Sequence, residues 1–343
     1  MERIKSRKNL LVELILLMIA VIPPLFISNS YVMSILFMTA LYALLASGWN
    51  ILSGFTGPLG LGNGLYFSLG AYLTGAFFQY YYMNTWLALL LSAVIITAFS
   101  ILLGLLCFPL RGTYYALATI ALLNILRILF YENETLFGIH FGGGPGIKIT
   151  WRGGFWNMQF IDKRYYYFII LALLLLTILF SIKLLKSKMG FYFRAISTNE
   201  TAASTLGINI IKYKCISQCM TAFIMALGGG VYTMYIMYIE PETMFSMDYC
   251  LYILLMAVVG GLGEIYGPIL GAVILMPSFE LVRGLWGSKL PGIASVFFGV
   301  LLVLCMQFFP KGIIPSVRKL NEVRRARRAE NQRVQVTGAE VSK

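Results

Sequence analysis

The chain has 343 residues, 59 % of them hydrophobic and only 12 % charged, about half the charged share of an ordinary soluble domain, and its mean hydropathy is +0.79. That excludes a water-soluble globule, and the recurring apolar runs of roughly 20 residues suit helices crossing a hydrocarbon core of about 30 Å. The net charge of +13 does not imply a nucleic-acid partner, because the basic tail Arg324-Arg325-Ala326-Arg327-Arg328 has no aromatic residues for stacking and suits anionic membrane lipid instead.

The expected architecture is an all-α membrane protein, a polytopic helical bundle of about ten transmembrane helices. In lipid each backbone polar group must be satisfied within a helix or a closed barrel, and the alternating runs of about 10 residues that mark a barrel do not occur. In chain order, 1–9 is a cytoplasmic N-terminal segment and 10–28 the first crossing. Arg3, Lys5, Arg7 and Lys8 before an apolar run resemble a secretory signal. However, Pro23-Pro24 interrupts the run and no small-residue cleavage site follows, so the segment reads as a retained helix. Crossings follow at 31–53, 59–82, 85–108 and 113–131, then an outer loop at 132–164 and a crossing at 165–185. A polar cytoplasmic loop at 186–212 precedes crossings at 213–239, 248–262, 265–283 and 291–309. The pair 248–262 and 265–283 reads as two crossings, as one bent element or as a re-entrant hairpin. The membrane domain is thus 10–312, and 313–343 is a basic cytoplasmic tail. With the N-terminus inside, 20 of the 27 Lys and Arg residues fall on cytoplasmic segments. This is the excess that the positive-inside rule requires, and it places both termini in the cytoplasm.

Glycine is concentrated between Ser53 and Tyr72. The Thr56-Gly57-Pro58 break precedes a fresh helix start whose dipole suits a carboxylate, and Asn63 places a polar amide among Gly60, Gly62 and Gly64. Asn50, Gly57, Gly60, Gly62, Asn63 and Gly64 are therefore the candidate lining of a path. Cys215 and Cys219 share a helix face with no nearby histidine, which indicates packing rather than a metal site. His140 is the only histidine, and one imidazole without partners makes no site. The outer loop carries Gly142-Gly143-Gly144 with Trp151, Phe155 and Trp156, and suits either a docking surface or an interfacial aromatic belt. The segment from Arg194 to Asn209 is the one long polar stretch inside the apolar domain, and basic residues flank it. Gly263, Gly267 and Gly271 recur every four residues, a small-residue stripe for helix packing, and Pro268 implies a bend. Glu264, beside the glycine-rich break, is the best candidate for ion coupling in a carrier. No phosphate-cradling Gly-x-x-x-x-Gly-Lys motif occurs, and no residue set points to catalysis or a metal.

Taken together in this order, Trp49-Asn50-Ile51-Leu52-Ser53-Gly54-Phe55-Thr56-Gly57, Leu59-Gly60-Leu61-Gly62-Asn63-Gly64, Leu110-Arg111-Gly112-Thr113-Tyr114-Tyr115-Ala116, Gly142-Gly143-Gly144-Pro145-Gly146, Glu200-Thr201-Ala202-Ala203 with Gly207-Ile208-Asn209, Val259-Gly260-Gly261-Leu262-Gly263, Tyr266-Gly267-Pro268 and Pro310-Lys311-Gly312 resemble the LivM-like permease subunit of branched-chain amino-acid ABC importers. The likeness covers about residues 35 to 315. It implies an ABC importer permease fold and a transport subunit without enzymatic activity. The implied partners are a second homologous permease, two cytosolic ATPase subunits that bind ATP and Mg, and an extracytoplasmic solute-binding protein, in a bacterial or archaeal cell membrane. Arg194, Asn199, Glu200, Ala202, Ala203 and Gly207 would then grip the ATPase, with the two alanines letting it approach. Family members commonly carry His where this chain has Asn63, and Thr201 separates the glutamate from the alanines. Urea and short-chain-amide permeases share most of these motifs, so that solute class stands as the alternative. An ion-coupled secondary carrier or a membrane-embedded scaffold would lack a use for the polar loop.

Overall fold

The computed structural model describes residues 29–110, 112–136, 138–286, 289–290, 292–308, 312–316 and 318. The expected crossing at 10–28, Arg3, Lys5, Arg7, Lys8, Arg111, Pro310-Lys311 and the tail from 319 onward lie outside the described residues. Twelve α-helices run among the described residues: α1 Ser30–Ser53, α2 Leu65–Tyr81, α3 Thr85–Cys107, α4 Thr113–Glu132, α5 Arg164–Lys186, α6 Lys188–Thr198, α7 Glu200–Thr205, α8 Ile210–Ile236, α9 Pro241–Met244, α10 Met247–Gly260, α11 Gly267–Trp286 and α12 Ile293–Phe308. Seven stretches are long and apolar enough to cross a membrane, with α9 and α10 counted as one. The short side chains of Asn29, Asn84, Asn209 and Ser246 accept backbone N–H bonds at the starts of α1, α3, α8 and α10, satisfying donors that have no partner inside the helix.

Helix α8 is the centre of the bundle and packs on α1, α2 and α3, while α1 also packs on α5 and α11. Lipid supplies no hydrophobic drive between helices, so close approach relies on small residues and interhelical hydrogen bonds. A side chain at Gly229 would meet the Phe67 carbonyl, and one at Gly70 would meet the Ala226 backbone. Thr233 donates to the Ala71 carbonyl at 3.0 Å and Thr221 to the Gly48 carbonyl at 2.8 Å. Leu87, Leu90, Val94, Leu102 and Leu106 on α3, with Leu117, Ile125 and Ile128 on α4, face outward, the surface a membrane or a neighbouring subunit covers.

The helix expected from residue 59 begins at Leu65. Pro58 lacks an N–H, Gly57 has φ +107°, and the glycines that follow carry a high backbone entropy cost in a helix. The segment at 248–283 forms two helices joined by a turn at 261–266. Gly263 belongs to that turn with φ +75° and approaches the Gly54 carbonyl. The helical stripe is therefore corrected to Gly267 and Gly271, which lie against the backbone of Gly260, Gly261 and Met256. Pro268 sits in the first turn of α11, where a missing N–H breaks no helical bond, so it introduces no bend; the proline inside the helix is Pro277. Glu264 is not inside a helix either. It lies in the turn and takes a two-pronged bond from Arg318, at 2.7 and 3.0 Å.

The loop at 132–164 folds onto the helix ends. Strand β1 Thr135–Leu136 pairs antiparallel with β2 Ile139–His140, and β3 Ile147–Lys148 with β4 Tyr238–Ile239. Arg152 lies over the rings of Phe78 and Tyr82 and donates to the carbonyls of Phe78 and Gln79. Trp151, Phe155 and Trp156 remain exposed, and His140 stands edge-on to Tyr80. The described Lys and Arg side chains occur at both ends of the bundle, so the expected cytoplasmic excess depends on residues outside the described set.

Candidate functional site

The polar segment forms two short helices at one end of the bundle. Ser187 starts α6, whose Gly190, Phe193 and Ile196 are buried, a spacing of three residues that gives one inward face. Asn199 then breaks and restarts the chain. Its extended backbone ends α6, and its side chain accepts the Ala202 N–H at 3.1 Å to start α7. Gly207, with φ +81°, ends α7. Its N–H bonds the Ser204 carbonyl at 2.9 Å while the Ile208 N–H bonds Ala203 at 3.1 Å, the double bond pattern of a glycine-terminated helix.

The two alanines have different surroundings. Ala202 is exposed, whereas Ala203 is buried in the chain itself. The reading that both admit a partner is corrected: adjacent helical residues lie about 100° apart, and Ala203 falls on the face packed against the rest of the chain. Arg194 is exposed on α6, and Leu206 stands 79 % exposed at the tip.

The short helices are tied to the bundle at three points. Lys214 of α8 donates to Glu200 at 2.6 Å, the lysine side chain being 7 % exposed and the glutamate 48 %. The rings of Tyr192 and Phe193 meet Tyr213. Gly57, just beyond α1, approaches Ser197 so closely that an added Cβ would lie 3.3 Å from its Cα. A displacement of α6 and α7 therefore acts directly on α8 and on the end of α1.

The expected path residues fall into two groups. Asn50 and Gly57 belong to the corner beside α6. Asn50 donates to the Glu264 carbonyl at 2.9 Å and accepts the Gly263 N–H at 3.0 Å, so its amide clamps α1 to the 261–266 turn. Gly60, Gly62, Asn63 and Gly64 form the bend before α2. The Gly60 carbonyl accepts from Trp49 at 2.9 Å, and the Gly62 N–H donates to Thr119 at 3.1 Å. Side chains at Gly62 and Gly64 would meet the Thr119 backbone and Cys250 Sγ. This bend is closely packed. Asn63 is 1 % exposed, and its Nδ2 has no hydrogen-bond partner among the described residues, an unusual state for a buried amide.

Lys214 carries the link to α8, a role the motif reading did not assign. Its signal was present as a lysine in the first turns of a helix that carries no further charge, near the one acidic residue of the polar segment. The Gly228-Gly229-Gly230 run, which lets α8 approach α2, was readable as a small-residue contact but was not singled out.

The family model described as "Branched-chain amino acid transport system / permease component" matches residues 31–306. The chain is 29 % identical over 335 residues to the high-affinity branched-chain amino acid transport system permease protein LivM of Salmonella typhimurium, covering 91 % of this chain and 76 % of that protein. It is 28 % identical to the LivM protein of Escherichia coli, covering 88 % and 74 %. It is also 24 % identical to a nucleoside ABC transporter permease protein, NupC, of Lactococcus lactis, covering 71 % and 79 %. No solved structure gives a significant match.

Proposed function

From the premise that this chain belongs to the branched-chain amino acid transport permease family, we propose that it joins a second related permease to form the path for leucine, isoleucine and valine. It is a multi-pass membrane protein and a permease of an ABC importer. In this proposal one of two cytosolic ATPase subunits, which bind ATP and Mg, docks on α6 and α7. An extracytoplasmic solute-binding protein meets the opposite face, where the outer loop exposes Trp151, Phe155 and Trp156. The face bearing α7 and both chain termini then lie in the cytoplasm of a bacterial or archaeal cell.

The observation that carries this reading is the capped helix α7, with Ala202 and Leu206 facing out and Glu200 held by Lys214. When the ATPases close, they push α6 and α7. The ion pair and the Tyr213 contacts pass the movement to α8, which underlies α2 and α3, and the bend at Gly60–Gly64 lets α2 follow. The chain supplies the path, and its partners hydrolyse ATP. An ion-coupled carrier loses its leading candidate, because Glu264 is held by Arg318 in a turn between helices.

The test is uptake of labelled leucine by cells with and without this chain, with isoleucine, valine, urea and a nucleoside as competitors, alongside affinity purification of the chain. The expected result is leucine uptake that depends on the chain, is competed by isoleucine and valine only, and is accompanied by co-purifying ATPase subunits. Competition by urea or the nucleoside alone would overturn the solute. Purification without an ATPase, from cells with active uptake, would overturn the partners.

A further inference from the structure

A cavity of about 510 Å³ lies at the end of the bundle opposite α7, within the range of roughly 300–1,000 Å³ usual for small-molecule sites. Parts of α1, α8, α10, α11 and α12 line it, with the 242–246 segment at its rim. It reaches Tyr42, twelve residues into α1 and so about 18 Å along that helix. Its charge is mixed. Among the described lining residues Glu242, Asp248 and Glu280 are acidic and Arg283 is basic. Glu280 and Arg283 belong to α11, an apolar membrane-span candidate, where ionisable residues are costly and mark a path or site. The Glu280 side chain is only 16 % exposed, and Arg283 Nη1 lies 3.7 Å from it. That spacing is too long for a tight bidentate pair, and the arginine side chain is 66 % exposed, so its guanidinium donors are open to another acceptor.

The rest of the wall combines Phe279 and Met276, both buried, with four tyrosines and the hydroxyl residues Thr243, Ser246 and Ser295. Tyr232 and Tyr249 satisfy each other at 2.9 Å. Tyr42, 4 % exposed, lines the cavity beside them.

We propose that this cavity is the solute site of the chain and takes a zwitterionic α-amino acid with an apolar side chain. Arg283 faces the carboxylate, Glu280 and Asp248 face the ammonium group, and Tyr42 with Phe279 and Met276 encloses the side chain. The proposal rests on the importer reading above and sharpens it. A neutral amide such as urea has no use for the charges, and a nucleoside has no ammonium group.

The full importer is reconstituted in lipid nanodiscs with Ser295→Cys at the cavity rim, and labelling of the new thiol by a maleimide is timed against the parent complex. Leucine is expected to slow labelling. Leucinamide, N-acetyl-leucine and urea, which lack the carboxylate, the ammonium group or both, are expected not to. Arg283→Gln should raise the half-protecting leucine concentration roughly ten- to hundredfold, the effect of losing one charged hydrogen bond. Glu280→Gln removes only a charge and keeps the shape of the wall. It should raise the same concentration about tenfold or more and decides the matter if the Arg283 variant does not assemble. Wild-type leucine uptake with labelling indifferent to leucine, or equal protection by leucinamide, would overturn the site and leave the importer reading standing. Absent leucine uptake by the wild-type complex would overturn the solute reading itself.

Discussion

Glu200→Gln should destabilise the chain more than Lys214→Met does, although both break the same ion pair. The pair is 2.6 Å long, with the lysine side chain 7 % exposed and the glutamate 48 %. At an effective dielectric of about 20 the gross attraction at that distance is ~6 kcal/mol, and most of it offsets the desolvation of the lysine. Removing the glutamate's charge strands a buried ammonium group. For fully buried pairs such a loss costs about 3–5 kcal/mol, and the half-exposed partner here brings it to about 2–3 kcal/mol after screening. Removing the lysine leaves an apolar chain of similar length in its place and a carboxylate already half in water. That change should cost about 1 kcal/mol or less, because Glu200 still favours the start of α7 through the helix dipole. The double variant should resemble Lys214→Met alone, giving a coupling energy of about 2 kcal/mol. The assay is an unfolding titration of the purified chain in mixed detergent micelles for the wild type and all three variants. Equal losses from the two single variants, or an additive double variant, would refute the picture of a buried lysine held by its partner.

Ala202→Glu should leave stability within about 0.5 kcal/mol, as expected for an exposed site, yet abolish ATPase co-purification and uptake. Ala203→Glu should instead unfold the α7 region, at a cost above about 3 kcal/mol for an unpaired buried carboxylate, and a melting curve beside the pull-down separates the two. Cysteines at Ser204 and Pro145 should react with a membrane-impermeant maleimide from opposite sides, Ser204 only from the cytoplasm; labelling from one side would refute the topology. Gly62→Ala should weaken the bundle because its new methyl meets the Thr119 backbone. Asn63→Leu should keep the melting temperature near that of the wild type, because its Nδ2 has no partner to lose. Its leucine uptake should fall if that amide serves transport, and wild-type uptake would remove Asn63 from the path.

The bundle was legible because its cause is local. Apolar runs of membrane-spanning length are visible residue by residue, and the caps at Asn84, Asn199 and Asn209 stand beside them. The polar segment was legible for the same reason: one polar stretch in an apolar domain, ended by a glycine. What could not be read is whatever depends on which residues meet across the fold. Gly263 keeps helical spacing with Gly267 and Gly271, yet the turn takes it out of the helix and sets it against Gly54. Asn50 and Asn63 look alike as polar residues among glycines. One is fully engaged by a turn 213 residues away, and the other is left with an unpaired donor. Ala202 and Ala203 are chemically identical, and their difference is only the angle at which α7 lies on α8, which Lys214 and Tyr213 set. Glu264 and Glu280 are both acidic residues near the same pair of helices. An arginine from beyond α12 holds Glu264, while Glu280 faces a cavity together with a guanidinium group whose donors are open to another acceptor. Composition shows that charge inside an apolar chain must serve some purpose; the packing around each charge decides whether it holds the fold together or faces a space where a solute fits.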